Sequence, residues 1–242
     1  MNVPQKRAIW YAYQSQKNET ARRMIEEAKA KGVEVLPSKY PEVTIRRIKK
    51  ALLNLNREET ETAMAAEAEV GSFIKYAGIE WVVLNRTASK VMVLAKHRLF
   101  NRAFDTDESN NWANSSLRKE LNNFNKRGFQ RGFENTENIN KKDLVEFERD
   151  LTTDDGIADY GKCKDYISLI SCGEYRKFRK FIPNADDWWW TLTGDSLVYS
   201  YDVRFVRSNG TLHYNSAYFG NFGVRPLCVL KSDTEVELCE KV

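Results

Sequence analysis

Histidine is almost missing from this chain: His97 and His213 are the only two in 242 residues. General acid–base chemistry near neutral pH would fall to carboxylates with displaced pKa values, and no pair of them stands out. Ser-His-Asp order, zinc-ligand spacing, a P-loop and GxGxxG are all absent, so the familiar routes to nucleophilic, metal and nucleotide chemistry lack their signatures. Asp154-Asp155-Gly156 has neither the spacing nor the closing glutamate of an EF-hand and reads as a turn. No cofactor and no metal is therefore implied. The four cysteines, Cys163, Cys172, Cys228 and Cys239, contain no CxxC and build no dense framework. They read as reduced thiols, with a Cys163–Cys172 bridge left open. No run approaches 18 apolar residues, and the opening MNVPQKRAIWYAYQ has no apolar stretch. The expectation is a chain without a membrane span or secretory leader, made and folded in the cytoplasm.

What is present is globular: 42% hydrophobic and 12% aromatic residues, enough for one good-sized domain with a helical appendage. The net charge is +4, and most of it sits early, with 13 Lys+Arg against 10 Asp+Glu up to Val70 and 25 against 24 afterwards. In ARRMIEEAKAKG, Ala21, Met24, Ile25 and Ala28 recur at helical spacing, and Gly32 can end the helix. From Thr44, TIRRIKKALLNLNREETETAMAAEAE sets Ile45, Ile48, Leu52 and Leu55 on one side and Arg46, Arg47, Lys49 and Lys50 on the other. This is either a support helix or a helix that grips nucleic acid or a partner.

Composition changes at Gly71, which divides a helical N-terminal region (1–70) from a domain spanning 71–242. Strands are expected at Phe73–Tyr76, Glu80–Asn85 and Lys90–Ala95. A helix is expected from Ser115 or Asn114, with Leu117, Leu121 and Phe124 on one side. A short buried strand at 165–171 leads into a basic helix at 172–182. The last part reads as four strands, Trp188–Thr191, Val203–Ser208, Thr211–Asn215 and Val224–Leu230, with Asn209-Gly210 as a two-residue type I′ turn. Neighbours on a strand face opposite ways, so Trp189 should oppose Trp188 and Trp190, and two of the three should be buried. Arg225 either clamps a carboxylate or phosphate or makes an internal pair with an Asp or Glu, the second being favoured.

Between the tryptophans and Arg225 lies a segment rich in Tyr, Asn, Ser and Asp. Too many of its side chains end in a polar group for a core, and the mixture suits an exposed surface of rigid aromatic anchors and adaptable hydrogen-bonding groups.

From Gly71 onward four blocks follow in order. They are Ile79-Glu80-Trp81-Val82-Val83-Leu84; Trp112 to Asn122, with Ser115, Leu117, Arg118 and Leu121; Ile167 to Tyr175, with Ser171 and Glu174; and Trp189-Trp190 with Gly223-Val224-Arg225-Pro226. These blocks resemble the I-x-W-x-V-L strand, the W-x-x-S-x-L-R-x-x-L-N helix, the F-L-L-S-x-x-E-Y segment (ending S-x-x-E-Y) and the closing W-W-L-R-S and G-V-R-P of the phage and bacterial domain-of-unknown-function family 6273. The arginine of the family's W-W-L-R-S has no counterpart at Thr191-Leu192-Thr193. The resemblance implies kinship with the C-type-lectin-like fold of formylglycine-generating enzymes and of the variable proteins of diversity-generating retroelements. In the latter, the segment before the terminal strand supplies the binding surface, which here is Tyr199 to Asn221. Neither the acidic calcium ligands of true C-type lectins nor a reactive cysteine pair is in place, although Asp186 and Asp187 leave a small opening for calcium.

The expectation is thus an α+β, C-type-lectin-like domain behind a helical N-terminal region. It would be a phage or prophage recognition module without catalytic activity, placed in the host cytoplasm or a virion. A protein partner would be bound by Tyr199, Tyr201, Asp202, Arg204, His213, Tyr214, Asn215, Tyr218 and Asn221. Two alternatives stand beside it: a regulator of a host nucleic-acid machine acting through Arg46, Arg47, Lys49 and Lys50, and an enzyme on a formylglycine-generating-enzyme-like fold.

Overall fold

A computed structural model describes residues 19–32, 40, 42–49, 62–124 and 139–239. The chain divides into two compact units, Met1–Glu61 and Thr62–Val242. In the first, the helix Glu19–Ala30 buries Ala21 and Ala28 and half-buries Met24 and Ile25, the predicted stripe. Residues 42–49 are helical, with Ile48 buried and Arg46, Arg47 and Lys49 exposed. Lys50, Leu52, Leu55 and the VEVL run lie outside the described residues.

The second unit is a mixed α+β structure made mostly of sheet. Among the described residues its strands are β1 (Thr62–Met64), β2 (Phe73–Tyr76), β3 (Ile79–Arg86), β4 (Lys90–Ala95), β5 (Phe100–Asn101), β6 (Phe147–Asp150), β7 (Lys162–Asp165), β8 (Ile167–Ser168), β9 (Trp189–Gly194), β10 (Asp202–Val206), β11 (Leu212–Ser216), β12 (Gly223–Val224), β13 (Leu227–Lys231) and β14 (Glu235–Cys239). Seven form one sheet in the order β1-β14-β2-β3-β4-β13-β8, five form another, β11-β10-β9-β12-β5, and β6 pairs with β7. The expected boundary at Gly71 falls inside this unit. Thr62–Met64, expected as helix, pairs with β14 through Thr62↔Glu237 and Met64↔Glu235. Tertiary strand pairing has overridden the helix propensity of an Ala/Glu-rich stretch.

The expected Val224–Leu230 strand is split. Pro226 has no N–H to give, so the chain leaves the five-stranded sheet at Val224 and enters the seven-stranded one at Leu227. The expected strand at 165–171 is likewise shorter, because the chain passes from β7, paired with β6, into the two-residue β8 beside β13. Asn209-Gly210 does turn the chain, but not as a type I′ turn. Arg207 and Thr211 close the hairpin with Ser208, Asn209 and Gly210 between them, and only Gly210 has positive φ (+83°). That is a three-residue loop ending in a left-handed glycine, pinned by Asn209 Oδ1, which accepts from the Thr211 amide and hydroxyl. A side chain at Gly210 would also overlap Arg179 and Asn184.

The tryptophans obey the strand's alternation. Trp188 and Trp190 both pack on Phe205 and Phe222, whereas Trp189 lies in a separate apolar cluster against Tyr175. Trp189 and Trp190 are buried and Trp188 is 40% exposed. Ser115 is the cap of the helix Ser116–Leu121, its hydroxyl accepting from the Arg118 amide. The helix Cys172–Phe178 opens with a capping box, Ser171 and Glu174 each satisfying the other's backbone N–H. All four cysteines are free thiols. His97 is exposed beside Glu80, 3.4 Å away.

Candidate functional site

Three connections meet at one end of the five-stranded sheet. Residues 105–110 run beside 199–202, because the Asn110 amide donates to Ser200 O at 2.7 Å, and beside 217, because the Phe104 and Asp105 amides donate to Ala217 O. The Ala217 amide in turn donates to Tyr201 O. Asn110 holds the assembly together. Its buried side-chain amide donates to Ser196 O, Tyr199 O and Asp202 O at 2.9–3.2 Å, and its Oδ1 accepts from the Tyr160 hydroxyl at 2.7 Å. Burial pushes the Tyr160 phenol above its ordinary value, so it remains a donor at neutral pH. One asparagine thereby fixes the backbone that presents Tyr199 and Tyr201, with no side chain of its own on the surface.

On this scaffold Tyr199, Tyr201, Tyr214 and Tyr218 are between 46% and 59% exposed, and Val198 and Phe219 are exposed beside them in sequence. Tyr199 and Tyr201 meet edge to face, ring centres 6.1 Å apart. None of the four phenol hydroxyls bonds to any described residue. The internal tyrosines behave differently: Tyr76 donates to Asp143, Tyr160 to Asn110 and Tyr175 to Gly210 O.

The other expected residues divide by face, as a strand requires. Asp202, Arg204 and Tyr214 share one side of the β10–β11 ribbon, through the pairs Asp202↔Ser216 and Arg204↔Tyr214. His213 and Asn215 lie on the other, opposite Phe205 and Val203. His213 is exposed, stacked on Tyr214 and tilted against Phe205. Asn215 is half-buried, and Asn221 is exposed after β11. Arg204 is engaged by Asp195 at 2.9 Å and Asp154 at 3.2 Å, which leaves it a scaffold role. Burial, and then the neighbouring Asp195, push the Asp202 carboxyl above its ordinary value. Asn110, Asp107, Glu108 and Phe219 are additions that the sequence reading missed. Phe219 stood in the aromatic segment and was overlooked beside the tyrosines; the others carry no local signal.

Arg225 departs from both expectations. It is fully buried and has no acidic partner among the described residues. Nε donates to Ala95 O at 2.9 Å, Nη1 to Pro183 O at 3.2 Å, and the guanidinium lies 4.5 Å over the Trp189 ring. Burial lowers its pKa to about 10, so it stays charged at neutral pH, held by carbonyl dipoles and an aromatic face. The residues before it are equally internal: the Gly223 amide donates to Trp188 O, and a side chain at Gly223 would overlap Arg98.

A cleft of about 230 Å³ lies elsewhere, lined by Met92, Phe147, Val229, Arg86, Lys90 and the Arg149–Glu174 pair, among others. Arg149 holds Glu174 through two hydrogen bonds of 2.5 and 2.6 Å and also donates to Leu169 O. Burial acts to raise the Glu174 pKa, but Arg149 and the Ser171 amide outweigh it and hold the carboxyl below its ordinary value. Glu174 is therefore an ionised strut, poorly suited to proton transfer near neutral pH.

The helix motif, the S-x-x-E-Y segment and the closing Gly-Val-Arg-Pro thus all act inside the frame, and one family comparison spans all three. The family described as "Domain of unknown function (DUF6273)" matches residues 88–232, more than half of the chain. The chain belongs to DUF6273. The match takes in three of the four blocks quoted above and begins after the Ile79–Leu84 strand. No curated protein matches, and no solved structure matches. In this DUF6273 member the four exposed tyrosines fall between the motif blocks, Tyr214 on β11 and Tyr199, Tyr201 and Tyr218 on connections whose backbone the frame holds in place.

Proposed function

We propose that this DUF6273 domain is a recognition module without catalytic activity, built on a C-type-lectin-like frame and encoded by a phage or prophage. It binds a protein partner in the host cytoplasm or as part of a virion. One observation carries the reading: four half-exposed tyrosines whose hydroxyls have no partner among the described residues, next to a backbone pinned from beneath by Asn110. Tyrosine supplies large contact area with few rotatable bonds, and a phenol left unbonded retains a hydrogen bond for a partner. The family resemblance supports the lectin-like frame, the phage origin and a binding segment before the terminal strand.

The test is partner capture with Tyr199→Ala/Tyr218→Ala, compared with Arg46→Glu/Arg47→Glu/Lys49→Glu. Loss of the captured partner only in the tyrosine variant supports recognition through the sheet end. Loss only in the helix variant moves function to the N-terminal unit and to the nucleic-acid-machine alternative.

A further inference from the structure

The connections that carry and flank Tyr199, Tyr201 and Tyr218 have a formal charge opposite to that of the chain. These three connections, 105–110, 195–202 and 217–221, contain five acidic residues and no Lys or Arg, while the whole chain carries +4. Asp105 is turned inward, accepting from the Ser116 and Ser109 amides, and Asp195 is paired with Arg204. Asp107, Glu108 and Asp202 have no ion-pair partner among the described residues. The nearest cations in sequence are already engaged, Arg102 by Glu120, Arg204 by Asp154 and Asp195, and Arg225 by Ala95 O and Pro183 O. Asp107 and Glu108 are exposed in the connection whose ends hydrogen-bond Ser200 and Ala217, so that connection's backbone meets the two that carry Tyr199, Tyr201 and Tyr218.

We infer that this surface takes a cationic polypeptide segment, one presenting Lys or Arg side chains to the tyrosine rings and to Asp107, Glu108 and Asp202. The inference rests on the recognition reading and names its partner class. Exposed tyrosine faces attract ammonium and guanidinium groups, and the carboxylates beside them complete ion pairs at the rim. The same carboxylates repel phosphate and acidic peptides, so the patch discriminates by sign as well as by shape. Uncompensated charge at a rim acts mainly on encounter, so association should slow as salt is added.

Fluorescence anisotropy with short labelled peptides, matched except for Lys/Arg or Asp/Glu at the charged positions, tests this on the full chain. The Lys/Arg peptide should bind and the Asp/Glu peptide should not. Asp107→Asn/Glu108→Gln/Asp202→Asn should weaken binding about tenfold, on the scale of a few rim ion pairs. Raising salt from about 0.05 M to about 0.5 M should weaken it further, because screening shortens the reach of exposed charges. Thermal unfolding of the triple variant serves as the folding control. Binding unchanged in the triple variant, or no preference for the cationic peptide, overturns the inference. If Tyr199→Ala/Tyr218→Ala nevertheless abolishes capture of the natural partner, recognition stands and only its charge class falls. If neither variant changes capture, both readings fall. Concentration-dependent self-association that the triple variant abolishes would assign the patch to another copy of this chain and overturn a foreign partner.

Discussion

Two parts of the larger unit treat polar side chains in opposite ways. Around the closing Gly223-Val224-Arg225-Pro226 turn and the helix Cys172–Phe178, key polar groups face inward and are tied to partners remote in sequence: Arg225 to the Ala95 and Pro183 carbonyls, Arg149 to the Glu174 carboxylate and the Leu169 carbonyl, Tyr175 to the Gly210 carbonyl. At the 105–110, 195–202 and 217–221 connections the backbone is held with equal care, by Asn110 and Asp105 from within, but the side chains of Asp107, Glu108, Tyr199, Tyr201 and Tyr218 are exposed and make no hydrogen bond to a described residue. The first arrangement makes the frame. The second is what a frame can carry when it does not need those side chains for its own stability. The Ser171–Tyr175 and Gly223–Pro226 blocks fall in the first part, and Asp107, Glu108, Tyr199, Tyr201, Asp202 and Tyr218 in the second.

Substitutions that separate the two parts should differ in kind as well as size. Arg149→Ala leaves the largely buried Glu174 carboxylate without its partner and should cost about 3–5 kcal/mol in denaturant unfolding. The same pair gives a pH signature. The Glu174 pKa is lowered in the folded state, so its contribution is complete above the ordinary glutamate value and is lost as pH falls through the lower folded value. The stability gap between the parent and Glu174→Gln should therefore close on acidification, and a constant gap would deny the ion pair its role.

Asn110→Ala should come next, at about 2–3 kcal/mol, because three carbonyls and the Tyr160 hydroxyl lose their partner. Unlike Arg149→Ala it should also weaken partner capture under conditions where the protein stays folded, since it releases the backbone beneath Tyr199. The smallest effect on stability belongs to Tyr199→Ala/Tyr218→Ala, within about 0.5 kcal/mol of the parent. A large loss there would mean those rings belong to the frame after all, and would erase the contrast between the two parts.

What the sequence made legible was periodicity and local chemistry. The opposed tryptophans follow from the two-residue repeat, Ser115 from its place before an amphipathic helix, and the exposed tyrosines from the polar company they keep. What it hid were partners distant along the chain. Arg225 was expected to find an acid, but Trp189 and two carbonyls hold it, and Ala95 lies 130 residues away. Asn110 looks like any residue of an Asn-rich stretch, and its bonds reach 86 to 92 residues ahead. The type I′ turn failed because Asn209 uses its side chain to hold Thr211 and leaves the left-handed position to Gly210.

The pairing of β1 with β14 has a mechanical consequence. Thr62 lies opposite Glu237 in an antiparallel ladder, so tension applied at the two ends of this unit opens that ladder at its loaded end and breaks its bonds in succession. Cys239 pairs with Phe73 on the other side of β14, so the same pull peels β14 from β2 as well. A ladder loaded along its strands would have to rupture all its bonds together. This unit therefore resists stretching weakly, yielding from its outer seam while the sheet that carries the tyrosines is still intact.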